Sequence, residues 1–360
     1  MTEFAQNILA LLGKSEAEIR PLLPEKHGGF SPRPASLHLL GRSAVLAGSE
    51  DGVPLLLVVA DSRRRLPDGF EGEQTALADG GVLLRCGHSA ANAAALRRHF
   101  PWCAPSAPPA CALSAGVRLD GEAAGRIGLF ARNGVFPVLS GDGAAAVRAV
   151  FEIFSCDCRS GYAVDGGRAG TVSACEAALA GGATFVTLSP SPAPAAPSAA
   201  ADYAGKHFIT EDRQAFFFNS ETAGACVARF GTLADFAAKV RALPFGKRGA
   251  FGLGIALDGG PEPTRPAEHL FVIRELRRRN LEISILFLRW PEEPEAFASA
   301  FRQHVSIART FGGYRLAVPF SRELPVNGTA SRCEMLHLAP DGEPIEQIQA
   351  HFQAAGLKER

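Results

Sequence analysis

Three charged side chains follow directly on apolar runs in this chain. Asp165 comes after residues 161–164, Asp258 after Phe251-Gly-Leu-Gly-Ile-Ala-Leu257, and Arg289 after Ile283-Ser-Ile-Leu-Phe-Leu288. If those runs are neighbouring strands, two carboxylates and a cation share one rim. They could hold a hydroxylated ligand or its carboxylate, with Arg289 as a bidentate partner, and Asp165 or Asp258 could move a proton. The competing reading is that such acids cap the next helix or pair with nearby cations. Lys206-His207 offers a further base, His207, although its setting reads as solvent-exposed. Glu268-His269 falls in the first turn of a helix opening near Pro266, a favoured start for proline. There Glu268 complements the helix dipole, and His269 reads as a helix-face residue rather than a base. Arg274 to Arg279 reads as the solvated face of the same helix.

Elements of alternating type must place these groups. Residues 251–258, 283–288 and 313–318 are strand-length apolar runs, separated by helical patterns at 266–279 and 293–311. This rhythm predicts parallel strands with helical crossovers, and in such sheets and barrels chemistry collects where strands end. The alternation extends upstream: 136–139 precedes a helix at 143–155, 161–164 precedes one at 171–179, and 184–188 follows. Residues 36–86 differ, with short runs at 37–40, 44–47, 53–60 and 82–85 separated by Gly, Asp and Ser, as in antiparallel hairpins. Ser89 is a plausible N-cap for an alanine-rich helix ending near His99. The expected fold is therefore α/β: a TIM-type (β/α) barrel over 111–360, complete or distorted, with a β-rich N-terminal portion and connector over 1–110. The Pro/Ala/Ser-dense stretch 189–201 reads as a loop at the barrel mouth, more a low-complexity replacement than a substrate lid.

Composition narrows the function classes. With 360 residues and 47% apolar content a sizeable core is possible. Lys+Arg and Asp+Glu are both 37, so nothing recommends a nucleic-acid partner. No run approaches the roughly 18 apolar residues of a membrane span, and Met1-Thr-Glu-Phe lacks the features of a secretion signal. A cytoplasmic setting is the default expectation. The eight cysteines read as ordinary thiols, and Cys156-Asp-Cys158 lacks the CxxC spacing and a nearby histidine of a metal or redox motif.

Several collinear segments resemble the tagaturonate/fructuronate epimerase (UxaE-like) family, metal-dependent sugar-acid epimerases on a TIM-type barrel. They are Thr264-Arg-Pro-Ala-Glu-His269, Arg274-Glu-Leu-Arg-Arg-Arg279, Ala308-Arg-Thr-Phe-Gly-Gly-Tyr-Arg-Leu316, Phe70-Glu-Gly-Glu73, and Asn92 through Phe100-Pro-Trp-Cys-Ala-Pro105. The resemblance implies a divalent metal at the mouth, and there the chain departs from the family. Where the family has Asp-x-Asp-His, this chain reads Asp165-Gly-Gly-Arg168. Ser189 replaces a strand-end aspartate, Gly259 a ligand glutamate and Pro319 a histidine. A Gln/Arg/Thr-rich segment after Phe136-Pro-Val-Leu139 is shortened. A divalent metal needs about three or four Asp, Glu, His or Cys ligands, and arginine would repel it.

Two functions follow from the resemblance. In the first, the barrel has lost its metal and works without catalysis as a binding, regulatory or scaffold protein. In the second, it epimerises or isomerises a sugar acid without metal, using Asp165, Asp258 or His207. That chemistry must stabilise an enolate with fewer electrostatic aids, and Arg289 and Arg168 would have to substitute. The balance leans away from catalysis. Asp258, Arg289 and Arg168 are the expected ligand-binding residues, a small sugar acid or a protein the expected partner, and no cofactor is expected. Oligomeric state is not legible.

Overall fold

The computed structural model describes residues 1–109, 113–141, 144–189, 198–247, 251–319, 336–339 and 344–354. Most of the expected mouth loop at 189–201 lies outside the described residues. The chain forms two compact units, Met1–Pro105 with Leu119–Arg132 and Gly141–Gly161, and Ser106–Arg118 with Asn133–Ser140 and Tyr162–Arg360.

In the first unit, α1 (Thr2–Leu11) and α2 (Glu16–Ile19) precede six strands: β1 (Phe30–Pro32), β2 (His38–Leu39), β3 (Ser43–Glu50), β4 (Val53–Ala60), β5 (Glu73–Ala76) and β6 (Val82–Cys86). They form an antiparallel sheet in the order β1-β3-β4-β6-β5, with β2 also on β3. Every residue from Leu55 to Ala60 is buried, so β4 is covered on both faces, as its unbroken apolar run requires. Phe4, Ile8 and Phe30 pack with Leu46, Leu57 and Val59 on one face. Helix α3 (Ala90–His99) is capped by Ser89, whose Oγ accepts from Asn92 N at 3.1 Å. Strands β1 and β5, each four residues or fewer, carry no strong apolar pattern and were not expected.

The strand–helix alternation then runs β7 (Ser114–Arg118), α4 (Ala123–Arg132), β8 (Phe136–Ser140), α5 (Ala145–Ser155), β9 (Ala163–Ala169), α6 (Val172–Ala180), β10 (Phe185–Leu188) and α7 (Ser198–Ala201). A hairpin, β11 (Lys206–Ile209) with β12 (Ala215–Phe218), interrupts it before α8 (Ser220–Phe230) and α9 (Leu233–Arg241). It resumes as β13 (Gly252–Ala256), α10 (Pro266–Arg278), β14 (Ile285–Phe287), α11 (Pro294–Phe311), β15 (Arg315–Pro319), β16 (Leu336–Ala339) and α12 (Ile345–Ala354). Strands β7, β8, β9, β10, β13, β14, β15 and β16 pair in parallel and close between β16 and β7. The expected (β/α) barrel is present and complete. Local chemistry sets its helix starts: Thr171 Oγ1 accepts from Ala174 N, Asn219 Oδ1 from Thr222 N, and prolines open α10 and α11.

Alternation along the strands sends one set of side chains inward. Phe136, Val138, Ala163, Phe185, Ile285 and Ala317 form this interior, with Phe287 packed above them. The barrel is a filled core, not a channel. A Cβ at Gly254 would stand 2.7 Å from both the Phe185 ring and Thr187 Oγ1, so glycine there is what lets those side chains fit.

Candidate functional site

Asp165 was expected just past the end of its strand, but β9 continues to Ala169. Asp165 pairs with Phe185 and Arg168 with Thr187, so the register slips by one residue between them. Gly167, at φ 78, takes up the slip, and its N–H donates to Asp165 Oδ1 at 2.8 Å. Without this bulge Asp165 and Arg168, three apart, would face opposite sides of the sheet. With it both face the barrel interior. Gly166 turns outward, where a Cβ would meet Ala178 Cβ at 2.7 Å. The Gly-Gly pair is thus the local reason an acid and a cation share this rim.

Arg168 reaches across the mouth to Asp258, beyond the end of β13. Its Nη1 donates to Oδ1 at 2.7 Å and its Nη2 to Oδ2 at 2.5 Å, a bidentate pair. The Arg168 side chain is 50% exposed and that of Asp258 22%. The guanidinium also lies 5.6 Å from the centre of the Phe287 ring. Burial raises the pKa of the Asp165 carboxyl, with its Gly167 hydrogen bond and the nearby Arg168 charge opposing the shift.

The other expected groups lie elsewhere. Asp258 and Arg289 were expected to share the rim as ligand-binding groups, and the Asp258 carboxylate is engaged by Arg168. Arg289 is exposed, and its side chain has no polar partner among the described residues, while its backbone N and O both bond Thr264. His207 is exposed on the hairpin and stacks on Phe217 with ring centroids 4.5 Å apart. That hairpin packs on α10 and α11, outside the strands: Arg274 lies over Phe208, and Ser306 Oγ donates to Thr210 Oγ1. The arginines of α10 are not a bare solvated face. Arg278 and Arg279 both bind Glu275, and Arg279 also binds Asp235, because α8, α9 and the hairpin crowd this helix.

Two polar features were missed. His337 points inward from β16, buried, with Nδ1 2.8 Å from Ser114 Oγ and its ring 5.9 Å from Phe287. Burial and the Arg315 charge push its pKa down to about 3, so it is a neutral group beside Phe287. The second feature is a buried chain between α10 and α11. His304 Nε2 lies 3.0 Å from the Thr264 carbonyl, which can only accept, so Nε2 carries the hydrogen. Burial pushes His304 down to about 4. The ring is therefore neutral, and its Nδ1 accepts from His269 Nδ1–H at 2.9 Å. His269, whose pKa burial also lowers, accepts at Nε2 from the Tyr314 hydroxyl at 2.6 Å. Thr264 carries the chain to the mouth. Its Oγ1 donates to Leu257 O and accepts from Arg289 N, and its N–H donates to Arg289 O. The residues before Asp258 and at Arg289 are thereby tied to a fully buried support. A sequence signal existed: His304 interrupts the apolar stripe Phe297, Phe301, Val305, Ala308, and a polar residue on such a face needs a buried partner.

The donor set can be tested against the metal that the family resemblance implies. Among the described residues no three His, Cys, Asp or Glu side chains converge as a cation site. A guanidinium lies against the two mouth acids. The described residues at this mouth do not by themselves supply the three or four ligands that a divalent cation takes. Pro319 ends β15, while residues 320–335 and 340–343 lie outside the described residues. No helix among the described residues is long and apolar enough to cross a membrane.

The closed parallel strands, filled interior and polar rim define a TIM-type barrel protein. Comparison with known proteins narrows the class. The family model described as tagaturonate epimerase matches residues 193–320. A tagaturonate/fructuronate epimerase of Thermotoga maritima is 35% identical over 78 residues, 19% of this chain and 16% of that protein. The match thus spans under a fifth of that relative. The native crystal structure of fructuronate-tagaturonate epimerase UxaE from Cohnella laeviribosi superposes with a TM-score of 0.68 at 22% identity, covering 90% of this chain and 74% of that one. A glycerol-complexed form gives 0.68 at 21%, covering 86% and 72%. At such identity the superposition speaks for the fold. The chain is similar to the UxaE-like family in sequence over a central to C-terminal stretch, and in fold over most of its length.

Proposed function

We propose that this chain is a divergent relative of the tagaturonate epimerases that has lost the family metal and serves as a non-catalytic binding, regulatory or scaffold protein. One observation carries the reading: the bidentate Arg168–Asp258 pair spans the rim where the resemblance calls for metal ligands. A guanidinium supplies fixed positive charge without open coordination positions, so it can hold an anion but cannot polarise a carbonyl as a Lewis acid does. The partner this rim suits is a small polyhydroxy acid, its carboxylate meeting Arg168 or Arg289 and its hydroxyls meeting Asp258.

A second reading is favoured by Asp165. A carboxyl whose pKa is raised by burial suits proton transfer, and the chain would then be a hexuronate epimerase or isomerase acting without metal.

Tagaturonate and fructuronate, incubated with the purified chain in heavy water, separate these readings. The expected result is no deuterium at the exchangeable carbon and no stoichiometric zinc, manganese or nickel by metal analysis. Turnover without metal would establish the second reading, and turnover with bound metal would overturn both. If the rim binds such acids, Arg289→Ala weakens calorimetric affinity by about 1.5–3 kcal/mol, the range for a hydrogen bond to a charged group. A flat titration with the parent chain would leave the scaffold role alone.

A further inference from the structure

Strand β7 ends at the barrel mouth on Arg118, opposite Ser140 at the end of β8. Ser114, Gly116 and Arg118 share one face of this strand by alternation. That face is the inward one. Ser114 Oγ lies 2.8 Å from Nδ1 of the buried His337 ring, and a Cβ on Gly116 would stand 3.6 Å from Nε2 of the same ring. Arg118 is therefore the uppermost inward residue of β7. It is exposed, and its side chain has no polar partner among the described residues.

The place of β7 in the barrel gives this arginine a role that the Arg168–Asp258 pair cannot fill. Around the closed order β10-β13-β14-β15-β16-β7-β8-β9, β7 lies four strands from β13 in either direction. Arg118 thus stands across the mouth from Asp258, which follows β13, and from Arg289, which follows the neighbouring β14. Arg168, rooted midway between them on β9, leans away from Arg118 to reach Asp258. Cations consequently face the opening from both sides, Arg289 and Arg168 on one and Arg118 on the other.

The floor between them holds a neutral polar atom. His337 is 4% exposed, its Nδ1 is taken by Ser114, and its Nε2 has no polar partner among the described residues. Ser114 lies below Gly116 on β7, so Nδ1 faces down the barrel and Nε2 faces up toward the mouth. A buried polar atom left without a partner is costly unless water or a ligand meets it.

We propose that the acid taken at this mouth carries a second anionic group, a phosphate or a second carboxylate, which Arg118 binds while His337 Nε2 meets a hydroxyl between the two ends. The inference rests on the reading of the mouth as a site for a small polyhydroxy acid, and it names the class of that acid. The first carboxylate goes to Arg289 or Arg168. The second group, at the far end of an extended chain, meets the guanidinium on the opposite side. Carboxylate and phosphate both accept a guanidinium in bidentate fashion, so Arg118 selects a charge and its position along the chain.

Calorimetric titration of the full chain with three probes tests this: gluconate, glucarate with its second carboxylate, and gluconate phosphorylated at the end away from its carboxylate. At least one doubly anionic probe should bind about tenfold to a hundredfold more tightly than gluconate, the worth of a hydrogen bond to a charged group. The probe with the larger gain identifies the second group. Arg118→Ala should remove the gain and Arg118→Lys should keep part of it. Both variants change an exposed side chain without polar partners among the described residues, so both should fold, which thermal denaturation checks. In the parent chain the nitrogen chemical shift of His337 Nε2 should move on saturation. Equal affinity for the three probes, or a gain that survives in Arg118→Ala, would overturn the inference while leaving a mouth that binds simple sugar acids. An unmoved His337 shift beside tight binding would place the ligand outside the mouth and overturn it as well. No heat from any probe would remove the binding reading itself, and this inference with it.

Discussion

The barrel unit holds two polar constructions that differ in almost every physical respect. At the rim, Arg168 and Asp258 form a bidentate ion pair in partial contact with water. Between α10 and α11, Tyr314, His269 and His304 form a neutral chain that is almost wholly buried. The rim pair carries full charges yet contributes little to stability, because water screens it and would solvate either partner alone. The buried chain carries no net charge yet contributes more, because removing a member leaves a donor or acceptor facing an apolar interior. Charge marks where a ligand can be recognised, and burial marks where the fold is held. Thr264 joins the two, since its hydroxyl and backbone fix the residues before Asp258 and at Arg289.

The sharpest way to break this contrast is to remove the central member. His269→Ala should lower unfolding free energy by about 3–5 kcal/mol, combining a cavity with two orphaned partners. Urea titration of the purified variant measures this, and a loss under about 1 kcal/mol would mean the chain is not satisfied as described.

Acid probes the same chain without mutation. His304 is held near 4 in the fold, against an ordinary 6.5. The unfolded state therefore binds the proton first as pH falls. Its contribution is complete above about pH 6.5 and is lost progressively down to about pH 4, by up to about 3 kcal/mol. Parallel urea titrations of parent and His304→Gln, from neutral to mildly acidic pH, isolate the effect. Identical pH dependence in the two proteins would assign the loss to other groups. Tyr314→Phe, which removes only the hydroxyl, should cost about 1–3 kcal/mol in the same assay. Combined with His304→Gln, it should fall short of additivity, since both belong to one network.

How far the sequence revealed this depended on what kind of pattern each feature leaves. Barrel strands leave apolar runs of strand length, and helices announce themselves through Thr171, Pro266 and Glu293, so the alternation from β8 to β10 and from β13 to β15 was legible to within a few residues, whereas β7, α4, α8, α9, β16 and α12 were not read. The β11–β12 hairpin was not, because Lys206-His207-Phe-Ile209 is short and exposed on one face. Asp165, Asp258 and Arg168 were legible as rim residues. Their pairing was not, since the bulge at Gly167 that turns Arg168 inward is a register event, invisible to a count of strand ends. His337 follows a stretch without strong periodicity, and its role depends on Ser114, far away in sequence.

The smallest expected effect is at the rim. Arg168→Ala removes both hydrogen bonds to Asp258 but leaves that carboxylate at a rim open to solvent, which can hydrate it. With the Arg168 side chain 50% exposed, the stability change should stay within about 1 kcal/mol and shrink further as salt is raised. The same substitution takes a positive charge from between two acids, so the Asp165 carboxyl should bind its proton at a higher pH than in the parent chain. Urea titration at low and high salt measures the first effect, and the carboxyl chemical shift of Asp165 across a pH series measures the second. A stability loss as large as that of His269→Ala would show that the rim pair holds the fold, and would erase the distinction between the two regions.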